Sequence, residues 1–183
     1  VIAGDFLLRR RNPLATIDAL DAFLTGKRGK PGYRRATCAR RLMRANTDSP
    51  KETELRLLLL RHGLPEPGIN VPIFDETGGW IQDPDMSYEE QKIAIQYDGA
   101  HHADPVQRRN DIFRDESARD AGWRVVVLTQ RDLTPTGPGM EPAAVTRVRA
   151  ALTQRGWSPA SGLRLRQRQR TRPTAHPSDA KGR

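Results

Sequence analysis

Nineteen residues, Pro84 to His102 (PDMSYEEQKIAIQYDGAHH), crowd together acids, an amide and a histidine pair that can hold a hard cation and move protons. Asp85 stands at a turn into a short apolar strand, Gln96 and Asp98 at its far end, and His101 and His102 just beyond. Alternation along this strand sends Ile93, Ile95 and Tyr97 to one face and Ala94, Gln96 and Asp98 to the other. Asp83 and Asp85 share a face of the preceding segment in the same way. If the two strands pair, a carboxylate from each meets over a small patch. One or two carboxylates, completed by waters and phosphate oxygens, hold Mg²⁺. An ion so held polarises a phosphate and supplies hydroxide for phosphodiester hydrolysis.

The elements that must position these groups are legible in outline. Val1 and Ile2, with Phe6 to Leu8, read as a strand. Asn12 and Pro13 read as the N-cap and first residue of a helix running to about Leu24, with Leu14, Ile17, Leu20 and Phe23 on one face. A Gly/Lys/Pro break, Gly26 to Gly32, leads to a basic helix through Arg34, Arg35, Arg40, Arg41 and Arg44. Those arginines suit either a phosphate backbone or a solvated helix face. Ser49-Pro50-Lys51-Glu52 opens the best-defined helix: Ser49 caps, Pro50 suits the first turn, and Glu52 completes a capping box. Its leucines, 55 and 57 to 60, predict deep burial, with an end near Gly63.

Strands are expected at Asn70 to Phe74, Trp80 to Met86 and Lys92 to Asp98, the first two joined as a hairpin by Thr77-Gly78-Gly79. A charged helix from Asp104-Pro105 through Ala121 stops at Gly122. Trp123 to Leu128 has the composition of a strand buried on both faces, and a last helix spans about Glu141 to Arg155. From Ser49 the order is α-β-β-β-α-β-α: an α/β fold with a mixed sheet flanked by helices. The chain divides into an N-terminal helical segment (1–47), a main domain (48–157) and a Pro/Arg/Gln/Ser tail (158–183) without apolar periodicity, expected to be disordered.

The 183 residues carry a net charge of +9, which points to an anionic partner, most often nucleic acid. Most of the excess lies in the tail, whose alternating arginines (LRLRQRQRTR) suit DNA or RNA without sequence preference, or solubility alone. The single cysteine, Cys38, excludes an internal disulfide and a Cys-cluster zinc site; it is expected to be a small buried hydrophobe, in a reducing, cytoplasmic setting. No apolar run is long enough for a membrane span, so no membrane partner is expected. Val1 in place of Met leaves open a non-standard start codon or a longer upstream domain, of which residues 1–47 would be a remnant.

Pro84-Asp85, the eleven-residue step to Gln96, and Gln96-Tyr97-Asp98 resemble the PD-(D/E)xK signature of restriction-endonuclease-like folds. The continuation Asp98-Gly99-Ala100-His101-His102, a charged helix, and then Gly122-Trp123-Arg124-Val125-Val126 is similar to one branch of that superfamily. That branch contains the very-short-patch-repair (Vsr) endonucleases and many uncharacterised bacterial proteins. Ser49-Pro50-Lys51-Glu52 resembles their opening, and the likeness covers about residues 48 to 135. It implies a restriction-endonuclease-like sheet and a Mg²⁺- or Mn²⁺-dependent endodeoxyribonuclease with no small-molecule cofactor. Asp85 would be the principal metal ligand. Gln96 stands where the family usually has a second acid, and Asp98 where it has a lysine that this branch commonly lacks. His102 would be the general base or acid, and Glu52 the helix-borne acid that reaches the site. Arg108, Arg109 and Arg114 on the following helix would touch DNA phosphates.

The departure at Gln96 bears on activity, because an amide carbonyl binds Mg²⁺ without contributing charge. Either Asp85, Asp98 and Glu52 rebuild the metal site, or catalysis is lost and the fold serves as a nucleic-acid-binding or antitoxin-like regulatory module. A protein-interaction domain is a third reading. Each residue also has a structural use: Glu52 in the capping box, Asp98-Gly99 as a turn, Asp83 and His101 at a solvated surface, and Arg114 paired with Asp111. A zinc site from His101, His102 and Asp98 lacks further ligands at a familiar spacing.

Overall fold

Ser49 begins the helix that organises the main domain. Its hydroxyl accepts from the Glu52 N–H at 3.2 Å, and Pro50 takes the first helical position, where no N–H is needed. In the computed structural model the described residues are 1–99 and 105–159, with 105–108, 110 and 111 described as helical backbone only. Six α-helices are described: α1 (Ile2–Leu7), α2 (Ile17–Thr25), α3 (Tyr33–Leu42), α4 (Pro50–Arg61), α5 (Pro105–Asp120) and α6 (Ala143–Gln154). The strands are β1 (Gly68–Ile69), β2 (Ile73–Phe74), β3 (Trp80–Gln82), β4 (Met86–Tyr88), β5 (Ile93–Asp98) and β6 (Arg124–Thr129).

A mixed sheet runs in the order β1-β4-β5-β6, antiparallel at the first two pairings and parallel between β5 and β6, while β2 and β3 form a separate hairpin. The alternation expected along β5 holds and builds three layers. Ile93 and Ile95 join Leu55 and Leu59 of α4 and Val145, Val148 and Leu152 of α6 in the larger core. Ala94 faces the other way, into a smaller cluster with Ile73, Ile81, Ala118 and Trp123 beneath the hairpin and α5.

Five short strands, rather than three, stand between α4 and α5. Pro72 and Pro84 lack the N–H that a continuous ladder needs, so the chain breaks near each and the fragments enter different sheets.

The expected N-terminal strand is also corrected: residues 2–7 form α1. Gly4, Asp5 and Leu8 are buried, a helical rather than an alternating set. Gly4 passes so close to Met43 that a β-carbon there would collide with the Met43 sulfur. The next helix starts later than Asn12-Pro13 suggests. Leu14 and Ala15 first donate back to the Leu7 carbonyl, and Thr16 then provides the cap by accepting from the Ala19 N–H at 3.1 Å.

Asp5 and Arg56, both fully buried, join the N-terminal segment to the main domain at 2.9 Å. Thr53 Oγ1 donates to the same aspartate oxygen, the Arg44 N–H donates to the other, and Arg56 also donates to the Leu42 carbonyl and reaches Glu66. Such a pair is tolerated in a dry interior because both aspartate oxygens and both terminal guanidinium nitrogens are met; Arg56 Nε has no partner among the described residues. No helix among the described residues is long and apolar enough to cross a membrane.

Candidate metal-binding and nucleic-acid site

The register that brings Met86 opposite Ile95 puts Asp85, just before β4, beside Gln96. There the strand pairing stops, and the Asp85 side chain takes over: its Oδ2 accepts the Tyr97 N–H at 2.6 Å. The Asp85 carbonyl meanwhile accepts from the Asn70 N–H, extending the β1 side of the sheet. The carboxylate is therefore fixed at the end of two strands by backbone rather than by flexible side chains.

Its surroundings oppose ionisation. Burial lifts the Asp85 carboxyl from 3.8 to about 6, with the Glu52 and Asp48 carboxylates adding to the rise; the Tyr97 N–H and Arg10 act against it. Glu52 reaches this region from the first turn of α4, as the sequence suggests, but is not held by a reciprocal capping box. It is buried, and its Oε2 accepts from the Asp48 N–H and Asn70 Nδ2, each at 2.9 Å. A carboxylate engaged on one oxygen retains the other for a ligand.

Gln96 is half-buried and donates from Nε2 to Gln82 Oε1 at 3.1 Å. This bond uses the amide nitrogen and leaves the Gln96 carbonyl oxygen as an acceptor. Gln82 is buried, and its Nε2 has no partner among the described residues. Asp98 lies at the exposed end of β5, opposite Thr129.

Asp83 is not a solvated hairpin residue. Arg10 bridges it to Asp48, at 2.9 and 2.7 Å, and Trp80 Nε1 donates to it at 2.8 Å. Arg10 and Asp48 escaped the sequence reading: Arg10 sits in an unremarkable Arg9-Arg10-Arg11 run, and only the fold of residues 8–15 over α1 brings it here. Cys38, expected to be buried, is exposed on α3 because that helix has no buried face.

Among the described residues, no three His, Cys, Asp or Glu side chains converge at metal-holding distances. The donor chemistry nevertheless fits a hard cation. Asp85 supplies one fixed carboxylate in a negative environment and Gln96 one neutral oxygen, and Mg²⁺ sites are commonly completed by water and phosphate. His101 and His102 lie outside the described residues, as do the side chains of Arg108 and Asp111. Arg109 and Arg114 are exposed on α5, and the Arg114 guanidinium lies 5.8 Å from the centre of the Trp80 ring. The adjoining groove, about 740 Å³, has Trp80, Phe113 and Arg114 on its walls but also Asp75, Glu76 and Asp120.

The chain is similar to two uncharacterized proteins of Mycobacterium tuberculosis, MT2308 of strain CDC 1551 / Oshkosh and Rv2248 of strain H37Rv. It is 28% identical to each, with 76% of this chain and 55% of the relative covered. The chain thus spans about half the length of the curated relatives it matches. No family model matches, and no solved structure does.

Proposed function

We propose that the chain is a Mg²⁺- or Mn²⁺-dependent DNA endonuclease working through a variant PD-(D/E)xK site. The observation that carries this reading is Asp85: a carboxylate pinned by the Tyr97 N–H beside Gln96, its pKa raised to about 6 by burial and neighbouring acids. A divalent cation relieves that electrostatic cost, so the site is poised to take one. When bound, the cation would polarise a phosphodiester and lower the pKa of a water. Asp85 and Gln96 would hold it, with Glu52 behind them and Asp98 at the strand end. Tyr97 fixes the Asp85 rotamer through its backbone, and Gln82 fixes the Gln96 amide. On the family resemblance His102 moves the proton, and Arg108, Arg109 and Arg114 contact phosphates.

Gln96 favours a second reading, a non-catalytic nucleic-acid-binding or antitoxin-like module, because an amide adds no charge where the family has an acid. Cleavage of supercoiled plasmid and of mismatched or branched duplexes with Mg²⁺ or Mn²⁺ separates the two. Wild type is expected to cut and Asp85→Ala to lose cutting entirely. Cleavage by Gln96→Glu alone would select the second reading. Inactivity of all three on these substrates would overturn the endonuclease reading.

A further inference from the structure

Residues 26–44, the connection after α2, all of α3 and the two residues that follow, contain eight Lys and Arg and no acid. Two of these cations hold the segment in place: Arg40 pairs with Asp21 of α2 and Arg44 with Glu66 of the main domain. Lys27, Lys30, Arg34, Arg35 and Arg41 are exposed, with no carboxylate partner among the described residues. Arg34, Cys38 and Arg41 fall on one face of α3, seven residues and about 10 Å from end to end. At its start, Lys30, Arg34 and Arg35 line an open hollow of about 590 Å³. Neither α2 nor α3 has a buried residue, so this charge is carried on an arm held by few contacts.

We infer that the α2–α3 arm is a docking surface for the phosphate backbone of duplex nucleic acid, separate from the Asp85 site. Unpaired surface cations lose little on exchanging water for phosphate, and each phosphate neutralised releases condensed counterions. The cations are largely guanidiniums, whose planar forks match phosphate oxygens bidentately. An anionic bilayer fits less well. Of the exposed large apolar residues here, Leu14 and Phe23 belong to α2 and the segment before it, with the acids Asp18 and Asp21, and α3 itself carries Leu42 alone, at its last position. A helix that lies in a membrane carries both faces on itself. The surface does not depend on metal binding or catalysis, so it stands or falls apart from the endonuclease reading.

Cys38, alone in the chain and exposed in the middle of the basic face, allows the test on the full protein. A short photocrosslinker on its thiol is irradiated with a 30-base-pair duplex in EDTA, where metal-dependent cleavage is absent. The expected result is a crosslink from Cys38 to DNA that fades with salt. The R34A/R35A/R41A triple variant should melt as wild type does, since all three side chains are exposed. It should bind roughly tenfold or more weakly, with the log–log salt slope smaller by about 3. A variant with the tail arginines changed to glutamine should keep the crosslink. No crosslink, or a triple variant with unchanged affinity and slope, would overturn the inference. So would loss of DNA binding in the tail variant alone, or tighter binding to phosphatidylserine vesicles than to the duplex.

Discussion

Asp85 keeps its proton to a higher pH than a solvated aspartate because the fold buries it near Glu52 and Asp48. A carboxyl whose folded value lies above its unfolded one stabilises the fold below the unfolded value and loses that contribution as pH rises through the folded one. The window here runs from about 4 to about 6. Ionised Asp85 therefore costs the fold about 3 kcal/mol at neutral pH, an order-of-magnitude figure from 1.36 kcal/mol per unit. Asp85→Asn keeps an oxygen for the Tyr97 N–H and removes the charge. Thermal melts should show it more stable than wild type at pH 8, with the difference vanishing at pH 4. Adding Mg²⁺ or Mn²⁺ at pH 8 should raise the melting temperature of wild type and leave Asp85→Asn unmoved. Equal melts at all pH values would mean that the carboxylate is solvated.

Helix α1 is an element whose place is decided by one charge. Asp5 and Arg56 are both fully buried and share their bonds with Thr53, the Arg44 N–H and the Leu42 carbonyl. Removing one partner leaves the other desolvated and uncompensated, which costs about 3–5 kcal/mol. Arg56→Met, similar in length and apolar, should thus destabilise the protein by that amount in urea unfolding. Arg61→Met, on the exposed end of the same helix, should change stability by less than about 0.5 kcal/mol. Similar losses in the two would show that the Asp5 pair carries no particular weight. The same α4 that holds Arg56 also delivers Glu52 to the site, so the N-terminal segment and the site share one support.

Across the whole molecule, burial and charge are distributed in opposite ways. The cores on either side of the mixed sheet enclose β5, β6, α4 and α6, while α2 and α3 bury nothing. Local opening free energy follows buried contacts, so amide hydrogens of α2 and α3 should exchange orders of magnitude faster than those of β5 and β6. Equal protection would mean that the arm is covered in solution. The site, by contrast, is a patch of acids in a chain of net charge +9. On the readings proposed here the cationic arm draws in a polyanion, and the acidic patch accepts its phosphate only when a cation intervenes.

Local patterns were enough to identify several elements from sequence: the Ser49-Pro50 start of α4, the alternation of β5 that separates Ile93 and Ile95 from Ala94 and Gln96, and the apolar run of β6. Each depends on side-chain period or on a capping group within a few residues. Asp85 and Gln96 stand out by type and spacing, and their adjacency follows from β4–β5 pairing. Tertiary structure alone decided the rest. Residues 1–8 read as a strand until Asp5 has Arg56 to meet, fifty-one residues away. Arg10 is one of three consecutive arginines until the chain folds it between Asp48 and Asp83. The shift of Asp85 comes from burial and from acids thirty or more residues distant. Period and capping are properties of neighbours in the chain; desolvation and charge pairing are properties of neighbours in space.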